Sequence, residues 1–206
     1  MIILAVDLAK AKQTRPDDSE LWHELAALLV GSGQLDAYRE HCRKSIDRFG
    51  NANDLNTAHR ISKDCLTLPD SGVDLASIVR MADKAAEVTN DAATPWFQSV
   101  KALAEYRQGH FAQAVEWMNQ VLIDPGKELE RDVQAYMVRA MAHFQLHHTD
   151  EARADFAHGA EIVCTKLARL ESGDLQDNSR GWLDRIIAQA LMREAKALLN
   201  TDSNLR

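Results

Sequence analysis

Histidine and cysteine are the residues of this chain whose types and spacing could do chemistry. His143 and His147 stand four apart, with His148 and Asp150 beside them, so one helix end could present several ligands to a metal ion. A zinc site needs a third and a fourth ligand converging from elsewhere in the fold. The plainer reading puts His143 at a packing position and His147 and His148 in a turn, so no metal is expected. Cys42, Cys65 and Cys164 could include a nucleophile, yet no motif sets a base or an oxyanion donor beside any of them. The scattered carboxylates form no pair with general acid and base spacing. They read as solvated helix faces, on which Lys101 and Glu105 can pair at i,i+4. No catalytic residue and no cofactor is expected, and the chain reads as non-enzymatic.

Composition narrows the classes further. The 206 residues are long enough for a substantial core, and 46% hydrophobic with 27% charged residues suits a folded, soluble chain. Four prolines and 9 glycines are too few for the turns of an all-β sandwich. The net charge of −7 works against phosphate-backbone binding, so nucleic acid is not expected as a partner. Three unpaired, widely spaced cysteines read as a reducing compartment. The opening MIILAVDLAK lacks a basic start, reaches Asp7 early and falls far short of the ~20 residues that span a bilayer. A cytoplasmic chain without membrane attachment is expected.

The elements that must position these residues are all helical, because apolar residues recur at helical spacing and no period-2 run appears. A first segment, 2–13, ends before Arg15-Pro16-Asp17-Asp18. Ser19 can cap a helix that Gly31-Ser32-Gly33 stops, and a second helix runs over 35–49. Helices follow over 54–68 and 73–89, then from Thr94-Pro95, read as cap and first helical residue, to Gln108. Further helices are expected over 111–123, 129–146 and 149–170, and a loop over Ser172 to Ser179 precedes a last helix, 182–199.

A repeat runs through these helices. Ala26, Cys65, Ala102 and Ala140 fall 39, 37 and 38 residues apart, and Gly33, Gly72, Gly109 and His147 keep the same spacings. So do Tyr38, Ser77, Ala114 and Ala152, and after them Cys42, Met81, Met118 and Phe156. A fixed offset through four cycles marks stacked supersecondary units. The small residues are expected where paired helices approach closely, the glycines in the turns, and the larger residues between units. The chain divides into an orphan helix 2–13, units 19–49, 54–89, 94–123 and 129–170, and the C-terminal helix, all in one domain over 1–206.

These residues resemble the tetratricopeptide repeat. Trp22, Leu25, Ala26, Leu29, Gly33 and Pro16 match its pattern, as do Ala102, Tyr106, Gly109, Phe111, Ala114 and Val121, and then Tyr136, Ala140, Phe144, Ala152 and Phe156. Tyr38 stands for the usual alanine and His147 for glycine, and the period of ~38 exceeds the usual ~34. The strings GSGQLDAYREHCRKSIDRFG, KALAEYRQGHFAQAVEWM and MREAKALL are similar to the C-terminal arrays of large bacterial serine/threonine kinase and signalling proteins. No glycine-rich phosphate loop, His-Arg-Asp or Asp-Phe-Gly is present. Leu4 and Leu8 lie 34 residues before Tyr38 and Cys42, so the first segment reads as the second helix of a unit lacking its first. Either an array cap or truncation from a longer protein accounts for that.

The resemblance implies an all-α, tetratricopeptide-like superhelix of antiparallel helix pairs whose inner face binds a peptide or a partner helix. Trp96, Ser99, Leu103, Tyr106, Arg107, Gln134, Met137, Met141 and Phe144 would share that face. Their aromatic and methionine content suits such a partner, although the same residues could pack between units. Trp22 is expected in the core. A protein-interaction scaffold is therefore expected, with self-association through exposed terminal helices as the alternative.

Overall fold

The computed structural model describes residues 2–87, 92–165, 167 and 181–203. These contain ten α-helices and no strand: α1 (Ile2–Thr14), α2 (Ser19–Gly31), α3 (Leu35–Phe49), α4 (Leu55–Leu66), α5 (Leu75–Ala86), α6 (Thr94–Arg107), α7 (Phe111–Val121), α8 (Leu129–Gln145), α9 (Thr149–Thr165) and α10 (Gly181–Ser203). The helices expected from periodicity are all present within the described residues. The expected loop at Ser172 to Ser179, the last residues of the 73–89 and 149–170 helices, and the side chain of Leu4 lie outside them.

Local chemistry explains the boundaries, with two corrections. Asp18, not Ser19, caps α2, its carboxylate accepting the Glu20 N–H at 3.1 Å. Ala93 holds the cap position of α6, which moves Thr94 into the helix with Pro95 beside it. Asp54 and Asp74 cap α4 and α5 by accepting the N–H groups of Thr57 and Ser77 at 2.7 and 3.0 Å. At the turn phase Gly33, Gly72 and Gly109 have φ of 71, 69 and 83°, and His147 adopts the same left-handed conformation at φ 62°. A shared backbone conformation, not a shared residue type, is therefore what repeats there.

Packing follows the repeat, with one departure. Ala26, Cys65, Ala102 and Ala140 are all buried, as are Tyr38, Ala114 and Ala152. Ser77 is only half-buried, because its hydroxyl donates to Asp74 Oδ2 at 3.1 Å in the first turn of α5. Its neighbour Ile78 fills the core instead. Tyr38 reaches across from α3 to α4, which an alanine could not do. Trp22 is in the core as expected, its indole N–H donating to the Pro16 carbonyl at 2.9 Å.

The helices pack in sequential pairs: α2 with α3, α4 with α5, α6 with α7, and α8 with α9. Three-residue connections centred on Gly33, Gly109 and His147 fold α2/α3, α6/α7 and α8/α9 into antiparallel hairpins. The first helices form a second series of contacts, α2 to α4 to α6 to α8. α10 then packs on α8 and also on α2, which joins the two ends of that series. The main core runs through all of these helices and includes Leu183, Ile187, Leu191 and Ala195 of α10.

Candidate functional site

The expected partner-binding residues are carried by α6 and α8, two members of the series α2, α4, α6 and α8 that packs side by side along one face of the fold. Ser99, Leu103, Tyr106, Gln134, Met137 and Met141 are buried, Met137 with its terminal methyl packed against Gly159 of α9, and Phe144 and Trp96 are half-buried. Ser99 donates its hydroxyl to the Trp96 carbonyl at 2.7 Å. The side chain of Arg107 is only 7% exposed.

α10 lies across this face, and its sequence explains the fit. Leu183, Ile186, Ile187, Ala190 and Leu191 recur at helical spacing and are buried, as are Ala188 and Ala195. The alanines allow close approach, while the longer side chains fill the space between helices.

Charged groups fix its register. The Lys63 ammonium from α4 pairs with Asp184. Gln134 from α8 donates to the same carboxylate and to the Asp184 carbonyl, both at 3.1 Å. Burial works to raise the Asp184 carboxyl, but Lys63 and Gln134 outweigh it and hold the group below the ordinary carboxylate value. Toward the other end, Arg107 from α6 donates through two nitrogens to the carboxylate of Glu194, at 2.8 Å for Nη2. The same guanidinium donates from Nε to the Leu66 carbonyl at 3.0 Å and from Nη2 to the Thr67 carbonyl at 3.2 Å. It thus satisfies carbonyls at the C-terminal end of α4 as well as the acid. Arg185 donates to Glu130 at 2.9 Å.

Beside the start of α10 a cleft of about 420 Å³ opens. Glu20, Asn56, Trp96, Glu130 and Asp184 line it, so the N-terminal turns of α2, α4, α6, α8 and α10 converge there. Lys63 Nζ stands 4.6 Å from the Trp96 ring centroid, a cation–π contact. Glu20 pairs with Arg60. His23 also lines the cleft, and its Nδ1 is hydrogen-bonded to the buried carboxylate of Asp64 behind it. Burial pushes the Asp64 carboxyl up to about 6 against the pull of His23, and Asp64 Oδ2 has no protein partner. Burial drives His59 well below the ordinary histidine value, and its Nε2 likewise has no protein partner.

Sequence reasoning singled out Arg107 and Gln134 but missed the acids that meet them, Glu194 and Asp184. Lys63 and Asp64 carried a readable signal, because they sit between Ile61 and Cys65-Leu66 on a helix whose apolar side is otherwise continuous. Asp184 and Glu194 carried none, since an acid on a terminal helix looks solvated until its partner is located.

The other chemistry-bearing residues lie apart. His143 and His148 approach at 3.4 Å between their Nδ1 atoms, and Arg139 holds Asp155 beside them at 2.6 Å. Among the described residues no group of three or more His, Cys, Asp or Glu side chains could hold a metal ion. Cys42 and Cys65 are buried and Cys164 is exposed. Lys101 pairs with Glu105 at 2.5 Å, the i,i+4 contact its spacing suggested. Among the described residues no helix is long and apolar enough to cross a membrane. No protein-family model matches the chain, and no curated protein matches it.

Proposed function

We propose that this chain is a non-catalytic protein-interaction scaffold of tetratricopeptide-like design, binding a peptide or helical segment on the face of α2, α4, α6 and α8. The observation that carries this reading is α10, an amphipathic helix already seated on that face by apolar contacts and by ion pairs to α4 and α6. A surface that orders one helix this way has the geometry of helix-in-groove recognition, in which apolar anchors supply affinity and charges set register. The resemblance to bacterial signalling arrays supports a role as the recruitment module of a larger cytoplasmic protein.

Screening the immobilised chain against a library of amphipathic helical peptides tests the proposal. Reproducible enrichment of sequences that compete with one another for one site is the expected result. The absence of enrichment at both low and physiological salt would remove the interaction reading.

A further inference from the structure

We propose that the cleft beside the start of α10 receives an arginine side chain of a partner peptide, with His23 accepting a hydrogen bond from the guanidinium. This rests on the interaction reading above and names the side chain that its partner supplies. The cleft is open with α10 in place, so α10 need not move.

An unmet polar group in the cleft wall carries the inference. His23 lines the cleft, yet the residue is only 6% exposed. Its Nδ1 is engaged by the Asp64 carboxylate, which leaves Nε2 as the ring nitrogen available to the cleft. Among the described residues Nε2 makes no hydrogen bond. In the neutral ring the Asp64 carboxylate holds the proton on Nδ1, so Nε2 presents a lone pair and calls for a donor. A buried acceptor without a partner is unfavourable, and a ligand N–H removes that cost.

Charge selects a cationic donor. Glu20, Glu128, Glu130 and Asp184 line the cleft against Arg60 and Lys63. Arg60 pairs with Glu20, Lys63 with Asp184, and Arg185 with Glu130. Glu128 is left over: it is exposed, its side chain does not cap α8, and it makes no ion pair among the described residues. An anion would meet this surplus acid and cations that are already engaged, so the cleft disfavours it. A metal ion is disfavoured as well, because among the described residues no group of three or more His, Cys, Asp or Glu side chains could hold one.

Size and shape favour arginine among organic cations. The volume of about 420 Å³ suits one extended side chain, whereas a whole α-helix is roughly 10–12 Å across. The buried Phe97 and the half-buried Trp96 give an alkyl stem an apolar wall. A guanidinium carries several N–H donors in a planar fork and is more weakly hydrated than an ammonium, so it suits a partly buried site with more than one acceptor.

The test uses the isotope-labelled full chain and blocked tripeptides in which alanine flanks a central arginine, lysine, citrulline or glutamate. Amide chemical shifts are followed as each peptide is added. The arginine peptide is expected to bind with a dissociation constant of about 1 mM and to shift signals around His23, Trp96 and Phe97. The neutral citrulline peptide should bind at least about tenfold more weakly, the lysine peptide about threefold more weakly, and the glutamate peptide not at all. His23→Asn keeps an N–H toward Asp64 where Nδ1 stands but offers nothing in place of Nε2, and should weaken the arginine peptide at least about fivefold. Glu128→Gln, at an exposed position, should weaken it about threefold. Should His23→Asn lose its helical circular dichroism, Glu128→Gln and the comparison of arginine with citrulline decide alone. Citrulline binding as well as arginine, a preference for glutamate, shifts remote from the cleft, or unchanged affinity in a folded His23→Asn chain each overturn the inference. Propylguanidinium binding as tightly as the arginine tripeptide would make a free guanidine the ligand and overturn the peptide assignment. If no tripeptide binds while the helical library is enriched, the inference falls and the scaffold reading stands.

Discussion

The phenol of Tyr38 donates a hydrogen bond to the backbone carbonyl of Asp64 at 2.6 Å, and its oxygen accepts the Leu68 N–H at 3.3 Å. One side chain of α3 thereby ties down the C-terminal end of α4. Tyr38 is fully buried, and burial pushes its hydroxyl well above the ordinary tyrosine value, so it stays a neutral donor. Tyr38→Phe keeps the ring and leaves the Asp64 carbonyl and the Leu68 N–H without this partner. A loss of about 1–3 kcal/mol in urea unfolding is expected. An unchanged midpoint would show that neither bond contributes to stability.

The turn phase makes a prediction of opposite sign at two equivalent positions. Gly109 has φ 83° and His147 φ 62°. Gly109→Ala should cost about 1 kcal/mol, because a Cβ is disfavoured in that conformation. His147→Gly removes the same strain and should raise the thermal midpoint. Two shifts of the same sign would contradict a shared turn geometry.

Close helix approach can be tested at the last pair. Ala140 and Ala152 are both fully buried where α8 meets α9. Ala140→Leu or Ala152→Leu should overpack that contact and cost roughly 1–3 kcal/mol by denaturant titration. A neutral outcome in either variant would remove that residue from the contact.

Acid sensitivity follows from three buried groups. Burial lowers His41 to about 3, with Lys12 adding to the shift, and drives His59 lower as well. As pH falls from 6.5 to 5 the unfolded chain therefore comes to bind up to two protons at these histidines that the folded chain does not. Asp64 opposes them, because its folded carboxyl titrates near 6 and takes up a proton in that window which the unfolded one does not. The net balance is one proton in favour of the unfolded state, so stability should fall by roughly 1.4 kcal/mol per pH unit on acidification. Urea midpoints measured from pH 7 to pH 5 give the slope directly. His41→Gln should flatten it, and a slope that rises toward acid would show that Asp64 outweighs the histidines.

Much of the fold was legible because its determinants are local. Helical periodicity located each helix, and the turn glycines located the breaks between them. The errors at Ser19 and Thr94 were single-residue displacements, each at a site where two adjacent residues could both serve as the boundary. Ser77 shows a different limit: its place in the cycle was read correctly, but the cap it makes with Asp74 decided what its side chain does.

The sequence by itself determined an all-helical chain, a repeat in four phases, and positions such as Ala140 and Gly109 where only small or conformationally free residues suit. These follow from spacing along one chain, where helix pitch sets which residues share a side. Only the tertiary structure decided that α10 returns to the face of the first helices and that Lys63 meets Asp184 across 121 positions. Pairing at such distance depends on how ten helices add up their crossing angles, and no local spacing encodes that sum. The face expected to await a partner is therefore one that the chain's own last helix already covers.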